Sequence, residues 1–232
     1  MDYRCVQCKF AVKTLFVQYS PGNIRLIKCE NCKSVADEYI ECEFMILLID
    51  LILHKPKAYR HLLYNVLHQD TLNVEEGLLW KFACGFLLLD AYRFLLLKRN
   101  EEEWGSSVKY ASSVWICQKM LMDIFFGNFL FFCMFSLSTK NLLNTSVGVS
   151  RYKELFLAIF VSSYFKIFLI AMMVWEFPAS VIFIIDLFVL SSNIVALKVI
   201  TESTMSRCVG ACLSAHAVKF FASQIMLKVQ GS

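Results

Sequence analysis

Charge, glycine and proline are all scarce in this sequence. Of 232 residues only 18% are charged, 8 are glycine and 3 are proline. Soluble globular chains carry about 25% charged residues, and disordered or collagen-like chains have their own signatures of charge, glycine or proline, so those classes are excluded. No repeat or low-complexity tract interrupts the chain. Neither sign of charge dominates: 23 Lys and Arg against 19 Asp and Glu leave +4, with the basic residues scattered. Nothing in that balance argues for a nucleic-acid partner. The opening MDYRCVQCKF holds no apolar stretch of the kind that follows a basic start in a secretory signal, so none is expected. What the sequence has in quantity is apolar surface. Hydrophobic residues make up 58%, phenylalanine alone numbers 21, and the mean hydropathy is +0.56. Lipid is the expected solvent for much of the chain.

The apolar runs give an expected set of spans. Residues 155–175 (LFLAIFVSSYFKIFLIAMMVW) hold one charge, Lys166, and residues 180–200 hold Asp186 inside and Lys198 near the end. At about 1.5 Å rise per residue each covers the ~30 Å hydrocarbon core, so the two read as a transmembrane hairpin turning at 176–179. Residues 116–138 form a third span, with Asp123, Gly127 and Asn128 inside. Residues 78–97 are interrupted by Lys81, Asp90 and Arg93 and read as a fourth span or an interfacial helix. Asp90 and Arg93 are three apart, close enough to pair on one helix face. The 176–179 turn lacks Lys and Arg while Arg151, Lys153, Lys198 and Arg207 flank the hairpin, which places the turn in the lumen and favours four spans with a cytosolic N-terminus. Lysine and arginine in 98–115 run against that arrangement. Within the bilayer, Lys166 and Asp186 fall at similar depth on neighbouring antiparallel helices and are expected to pair.

Other stretches look interfacial. Residues 44–53 are apolar apart from Asp50 but too short to cross. Beyond Pro56, Tyr59, Leu62, Leu63 and Val66 gather on one helical face, with Arg60 and His61 elsewhere, the spacing of a helix lying among headgroups. Residues 209–229 have similar character and are expected on the cytosolic leaflet. Packing within a helix bundle fits all three patterns equally well. Among the cysteines of the apolar region, Cys84, Cys117, Cys133, Cys208 and Cys212 read as small apolar residues, the last two also as palmitoylation candidates. Asn144-Thr145-Ser146 is a formal glycosylation acceptor that the four-span arrangement leaves unused in the cytosol.

Chemistry is concentrated at the start of the chain. Cys5-x2-Cys8 and Cys29-x2-Cys32 are separated by twenty residues. Alternation from Val12 to Tyr19, the turn signal Ser20-Pro21-Gly22-Asn23 and the run Ile24–Lys28 suggest a hairpin that returns one pair to the other. Four thiolates suit a tetrahedral Zn²⁺ ion, and a site closed by four protein ligands is structural rather than catalytic. A redox dithiol would need a βαβ setting, which is absent, and a second ligand set of the kind a ubiquitin ligase uses is missing. Lys9 follows the second cysteine, where glycine would ease a positive φ. Nothing along the chain pairs a nucleophile with a base, cradles phosphate in a glycine loop or leaves a metal position open, so enzymatic activity is not expected.

The strings VKTLFVQYSPGNIRLIKCENCKSVADEYIE (12–41) and IDLILHKPKAYRHLLYN (49–65) resemble the Arv family, endoplasmic-reticulum membrane proteins named as acyltransferase-related and required for viability. The resemblance is strong over about the first 65 residues and is otherwise that of a multi-span apolar region. It implies a role in intracellular sterol uptake, trafficking and distribution, with linked effects on sphingolipids and on glycosylphosphatidylinositol-anchor synthesis. The expected molecule is therefore a multi-pass α-helical protein of the endoplasmic-reticulum membrane with a small N-terminal β-rich zinc ribbon. Residues 1–42 form the ribbon, 43–70 the interfacial helices and 71–232 the membrane domain. Membrane lipids, including sterols, are the expected partners. An adaptor subunit that supports lipid-synthesis enzymes of the same membrane is the alternative.

Overall fold

The computed structural model describes residues 3–102, 113–143, 149–175, 177–178 and 180–231. The chain divides into two compact units, Met1–Leu78 and Leu79–Ser232.

In the first unit, β1 (Tyr3–Arg4) pairs antiparallel with β2 (Ala11–Val12), and β3 (Phe16–Ser20) with β4 (Asn23–Leu26). The second hairpin turns at Pro21-Gly22, with Gly22 at φ 83 as a type II turn requires of its third residue. The first hairpin turns through Cys5–Cys8, and the second Cys pair makes a copy of that turn. In each, the residue after the second cysteine donates its N–H to the carbonyl of the first, Lys9 to Cys5 at 2.8 Å and Lys33 to Cys29 at 2.9 Å. Both lysines are left-handed, at φ 68 and φ 61. The positive φ expected at Lys9 is there, and the same conformation recurs at Lys33. Val12, Leu15 and Ala36 complete a small core around the buried Cys5 and Cys29.

After a short 3-10 turn at Glu38–Ile40, helix α1 (Phe44–Ile52) and helix α2 (Pro56–Arg60) follow. Pro56 opens α2 at a position where its missing N–H costs nothing. The chain then runs through a widened, π-type stretch at His61–Val66 into α3 (Leu67–Glu102).

The second unit continues α3 and adds α4 (Ser113–Leu143), α5 (Val149–Ser162), α6 (Phe168–Val174), α7 (Ser180–Thr201) and α8 (Met205–Gly231). Among the described residues, four stretches are long and apolar enough to cross a membrane: Leu121–Asn141, Tyr152–Met172, Ser180–Thr201 and Met205–Ile225. These differ from the expected four at both ends of the set. The 78–97 segment lies inside α3 and carries three charges, while the C-terminal stretch expected on the membrane surface is long and apolar enough to span. In α8, Cys208, Ala211, Cys212 and Ala215 make a stripe of small residues at helical spacing. Small side chains let helix backbones approach closely. All four are buried against Phe131 and Phe135 of α4, Leu155 and Ile159 of α5, and Ile194 and Leu197 of α7. Ser138 and Ser214 add a 2.8 Å hydrogen bond between α4 and α8. Cys208 and Cys212, at 0% and 1% exposure, are thus closed to the acylation considered for them.

The expected span at 155–175 is continuous in path but not in helix type, because a 3-10 turn at Ser163–Ile167 separates α5 from α6. Hydroxyls cause local competition there: Ser163 donates to the Ile159 carbonyl at 2.7 Å, and Ser162 to Asn193 Oδ1 of α7 at 2.6 Å. Asn144, and Glu176 and Ala179 of the expected hairpin turn, lie outside the described residues.

A left-handed conformation costs any residue with a Cβ about 1–2 kcal/mol, and a β-branched side chain adds to that. Lys9→Val and Lys33→Val are each expected to lower the stability of the first unit, while Lys9→Gly and Lys33→Gly are expected to raise it by up to about 1 kcal/mol. Denaturant titration of the four variants, followed by metal retention, checks the difference.

Candidate metal centre

The two Cys turns bring four sulfurs together. Cys5, Cys8, Cys29 and Cys32 all lie within 4.8 Å of one another at their Sγ atoms. The Cys5–Cys32 separation is 3.7 Å and the Cys8–Cys29 separation 3.6 Å. A disulfide would need about 2.05 Å. A tetrahedral ion with metal–sulfur bonds near 2.3 Å sets its sulfurs ~3.8 Å apart, so the donor set fits such an ion. The pairs cross between the two turns, so the cluster ties residues 5–8 to residues 29–32.

Burial pushes the Cys5 thiol up to about 12. At Cys8 burial acts in the same direction, but the backbone N–H of Phe10 and the contact with Cys29 outweigh it and bring the thiol down to about 6. Cys5 and Cys8 are thus pushed in opposite directions. A cation held among the sulfurs would supply the field that favours thiolates.

Beside the cluster lies a polar network with Asp37 at its centre. Asp37 is fully buried and accepts from three donors: the Tyr39 N–H at 3.0 Å, Asn65 Nδ2 at 2.6 Å and His61 Nδ1 at 2.7 Å. Asn65 also donates to the Arg4 carbonyl and accepts from the Arg4 N–H, both at 3.0 Å, and so continues the edge of β1. Arg60 donates through one guanidinium nitrogen to the carbonyls of Val6 at 2.7 Å and Gln7 at 3.0 Å, inside the first Cys turn. The helical segment after Pro56 is thus the clamp that holds the two Cys turns.

That role corrects the reading of 56–66 as a lipid-facing helix. Tyr59 is 1% exposed and donates to the Leu51 carbonyl at 3.3 Å. Arg60 and His61 face protein rather than headgroups. Leu62 and Leu63 are half-buried, and of the five residues expected to meet lipid only Val66 is exposed. The apolar exposed face belongs to α1, where Phe44, Met45, Ile46 and Ile49 stand out, with Leu53 just beyond. On its other side α1 is anchored by Asp50, which accepts from Tyr39 Oη at 2.8 Å and from Lys55 Nζ at 2.7 Å. The Lys55 ammonium holds the Asp50 carboxyl below the usual carboxylate range.

In the second unit the expected pairing is exchanged. Lys166 donates to Asp90 Oδ1 at 2.5 Å, not to Asp186. Asp186 instead takes Arg93, bidentate, with Nε at 3.0 Å from each oxygen and a terminal nitrogen at 2.5 Å. Asp90 and Arg93 therefore do not pair with each other. They project from α3 to different partners on the apolar helices, and Lys219 of α8 closes on the second oxygen of Asp90. The sequence carries Lys219 with no local signal of this role, since 129 residues separate it from Asp90.

The Arv1-like family matches residues 4–197, which takes in the metal centre, its clamp and most of the apolar helices. The chain belongs to the Arv1-like family. It is similar to Protein ARV 1 of Arabidopsis thaliana, 56% identical over 224 residues that cover 97% of this chain and 89% of the relative. Protein ARV 2 of the same plant is 54% identical over 221 residues, covering 95% and 93%. Protein ARV1 of Homo sapiens is 30% identical over 205 residues, covering 85% and 72%. No solved structure matches the chain. Among its described residues the Arv1-like chain thus pairs a four-cysteine ribbon with four helices fit to span a membrane.

Removing a buried charge while its partners remain costs about 3–5 kcal/mol. Asp37→Ala is expected to weaken the first unit by that order and to release its metal at a lower denaturant concentration, although no cysteine is altered. Metal retained by Asp37→Ala to the same denaturant midpoint as the parent, measured by a chromogenic chelator, would contradict the clamp.

Proposed function

We propose that this Arv1-like protein distributes sterols and associated lipids in the endoplasmic-reticulum membrane without catalysing a reaction. Its cytosolic N-terminal unit carries a structural zinc ion. The observation that carries this reading is the apolar face of α1, with Phe44, Met45, Ile46 and Ile49 exposed on a unit whose polar groups are paired inward. An apolar helical face of that kind suits the boundary between headgroups and acyl chains. Membership of the family supports the sterol and sphingolipid part of the reading. Zinc is the ion this reading assigns, and four sulfur donors close enough to share one tetrahedral ion support it.

In this mechanism the ribbon stays folded around its ion and the Asp37 network fixes α2 against it. α1 is then presented as a rigid apolar edge that loosens lipid packing where it enters.

Two measurements test the reading. Metal analysis of the purified chain is expected to return one zinc per molecule, and residues 3–42 are expected to become protease-sensitive on chelation. In liposomes holding the full-length protein, a fluorescent sterol is expected to exchange faster than in protein-free liposomes. Phe44→Asp combined with Ile49→Asp is expected to remove most of that gain with zinc content unchanged. Exchange that ignores the protein would defeat direct transport. Co-purification with a lipid-synthesis enzyme in that case would mark the adaptor role.

A further inference from the structure

A cavity of about 350 Å³ opens in the second unit among α3, α4, α7, α8 and the turn that carries Lys166. Its floor is charged. Arg93, Lys166 and Lys219 line it together with Asp90 and Asp186, three cations against two carboxylates. Asp123 borders a smaller neighbouring cavity, shared with Asp90, Arg93 and Lys219, and not this one. The mouth is apolar and open: Phe183, Leu187 and Phe221 line it and are themselves 49%, 64% and 64% exposed, on the two helices Ser180–Thr201 and Met205–Ile225 that are fit to span a membrane.

Both carboxylates are already engaged, Asp90 by two ammonium groups and Asp186 by the bidentate guanidinium. The cations keep donors in reserve. Lys166 uses one N–H on Asp90 and sets its ammonium 3.3 Å above the Phe86 ring. Lys219 uses two, on Asp90 and on Asn128 Oδ1 at 2.8 Å. An ammonium has three N–H groups and a guanidinium five. A surplus cation in a medium of low dielectric is costly unless an anion joins it, and oxygen-rich anions are what such a donor set recognises.

We propose that this cavity binds a membrane lipid with an anionic phosphate headgroup. The phosphate sits against Lys166, Lys219 and Arg93, and the acyl chains leave across Phe183, Leu187 and Phe221. The site goes beyond the sterol reading and stands independently of it, because it uses neither α1 nor the metal centre.

The test uses the full-length protein in a neutral detergent, with native mass spectrometry of added phosphatidic acid, phosphatidylcholine, cholesterol and inorganic phosphate. One phosphatidic acid per chain is expected to survive collisional activation, in preference to the zwitterionic lipid and the sterol. Lys219→Met is expected to weaken its retention about tenfold, the loss of one charge-assisted contact. Because a charge change inside the bundle can also disturb folding, Leu187→Trp serves as a second variant. It crowds the mouth without touching a charge and is expected to lower retention while the melting temperature holds. Equal retention of phosphatidic acid and phosphatidylcholine would overturn the proposal, as would phosphatidic acid retained unchanged by both variants. Inorganic phosphate competing as well as the lipid would overturn the assignment of a lipid. Sterol exchange that fails while phosphatidic acid is still retained would count against the sterol reading alone.

Discussion

Asp37 and Asp90 meet the same physical demand in two different surroundings. A carboxylate withdrawn from water loses several kcal/mol of solvation, and the protein must return it through donors of its own. In the ribbon unit Asp37 gathers a backbone N–H, an amide and an imidazole, and in doing so fixes three stretches of chain: residue 39, the helical segment at 61–65 and, through Asn65, the edge of β1. In the helical unit Asp90 gathers two lysines from different helices. Each carboxylate is an organising point because it would be intolerable alone. The arrangement of elements around it follows from which donors can reach.

The metal centre obeys a related constraint. Sulfurs at 3.6 to 3.7 Å across the turns are too far apart to bond one another and close enough to share one cation. The surrounding core is small, little more than Val12, Leu15 and Ala36, so packing alone gives the ribbon limited stability. The clamp from Arg60, His61 and Asn65 adds what the core lacks. The strings on both sides of residue 43 that share one family resemblance both lie in the compact unit Met1–Leu78.

Some of this was legible along the chain because the signals are local. The Cys-x-x-Cys spacing, the Pro-Gly turn and the positive φ after Cys8 depend on a few neighbouring residues, and long apolar runs betray helices that can cross a membrane. The exchanged ion pairs were not legible. Asp90 and Arg93 stand three apart on one helix and Lys166 and Asp186 on two apolar runs, so sequence distance favours pairings that the packing replaces. Tyr59, Leu62 and Val66 had the periodicity of a lipid-facing helix, but periodicity reports that a face is covered and not by what. Here the cover on Tyr59 is protein. The stripe Cys208, Ala211, Cys212 and Ala215 was present as a pattern of small residues, and its meaning depended on the large aromatics of α4 that fill the space it leaves.

By itself the sequence determined the solvent, the ligand type and the local turns. Composition decides how much apolar surface must be hidden or given to lipid, and the spacing of cysteines decides what their sulfurs can share. Tertiary structure alone decided which charge meets which, which helical face is clamped to the ribbon and which is left exposed, and where a charged cavity opens among the helices. Those outcomes rest on contacts between residues up to 129 positions apart, and the energy of such contacts is set by distance and burial in space rather than by order along the chain.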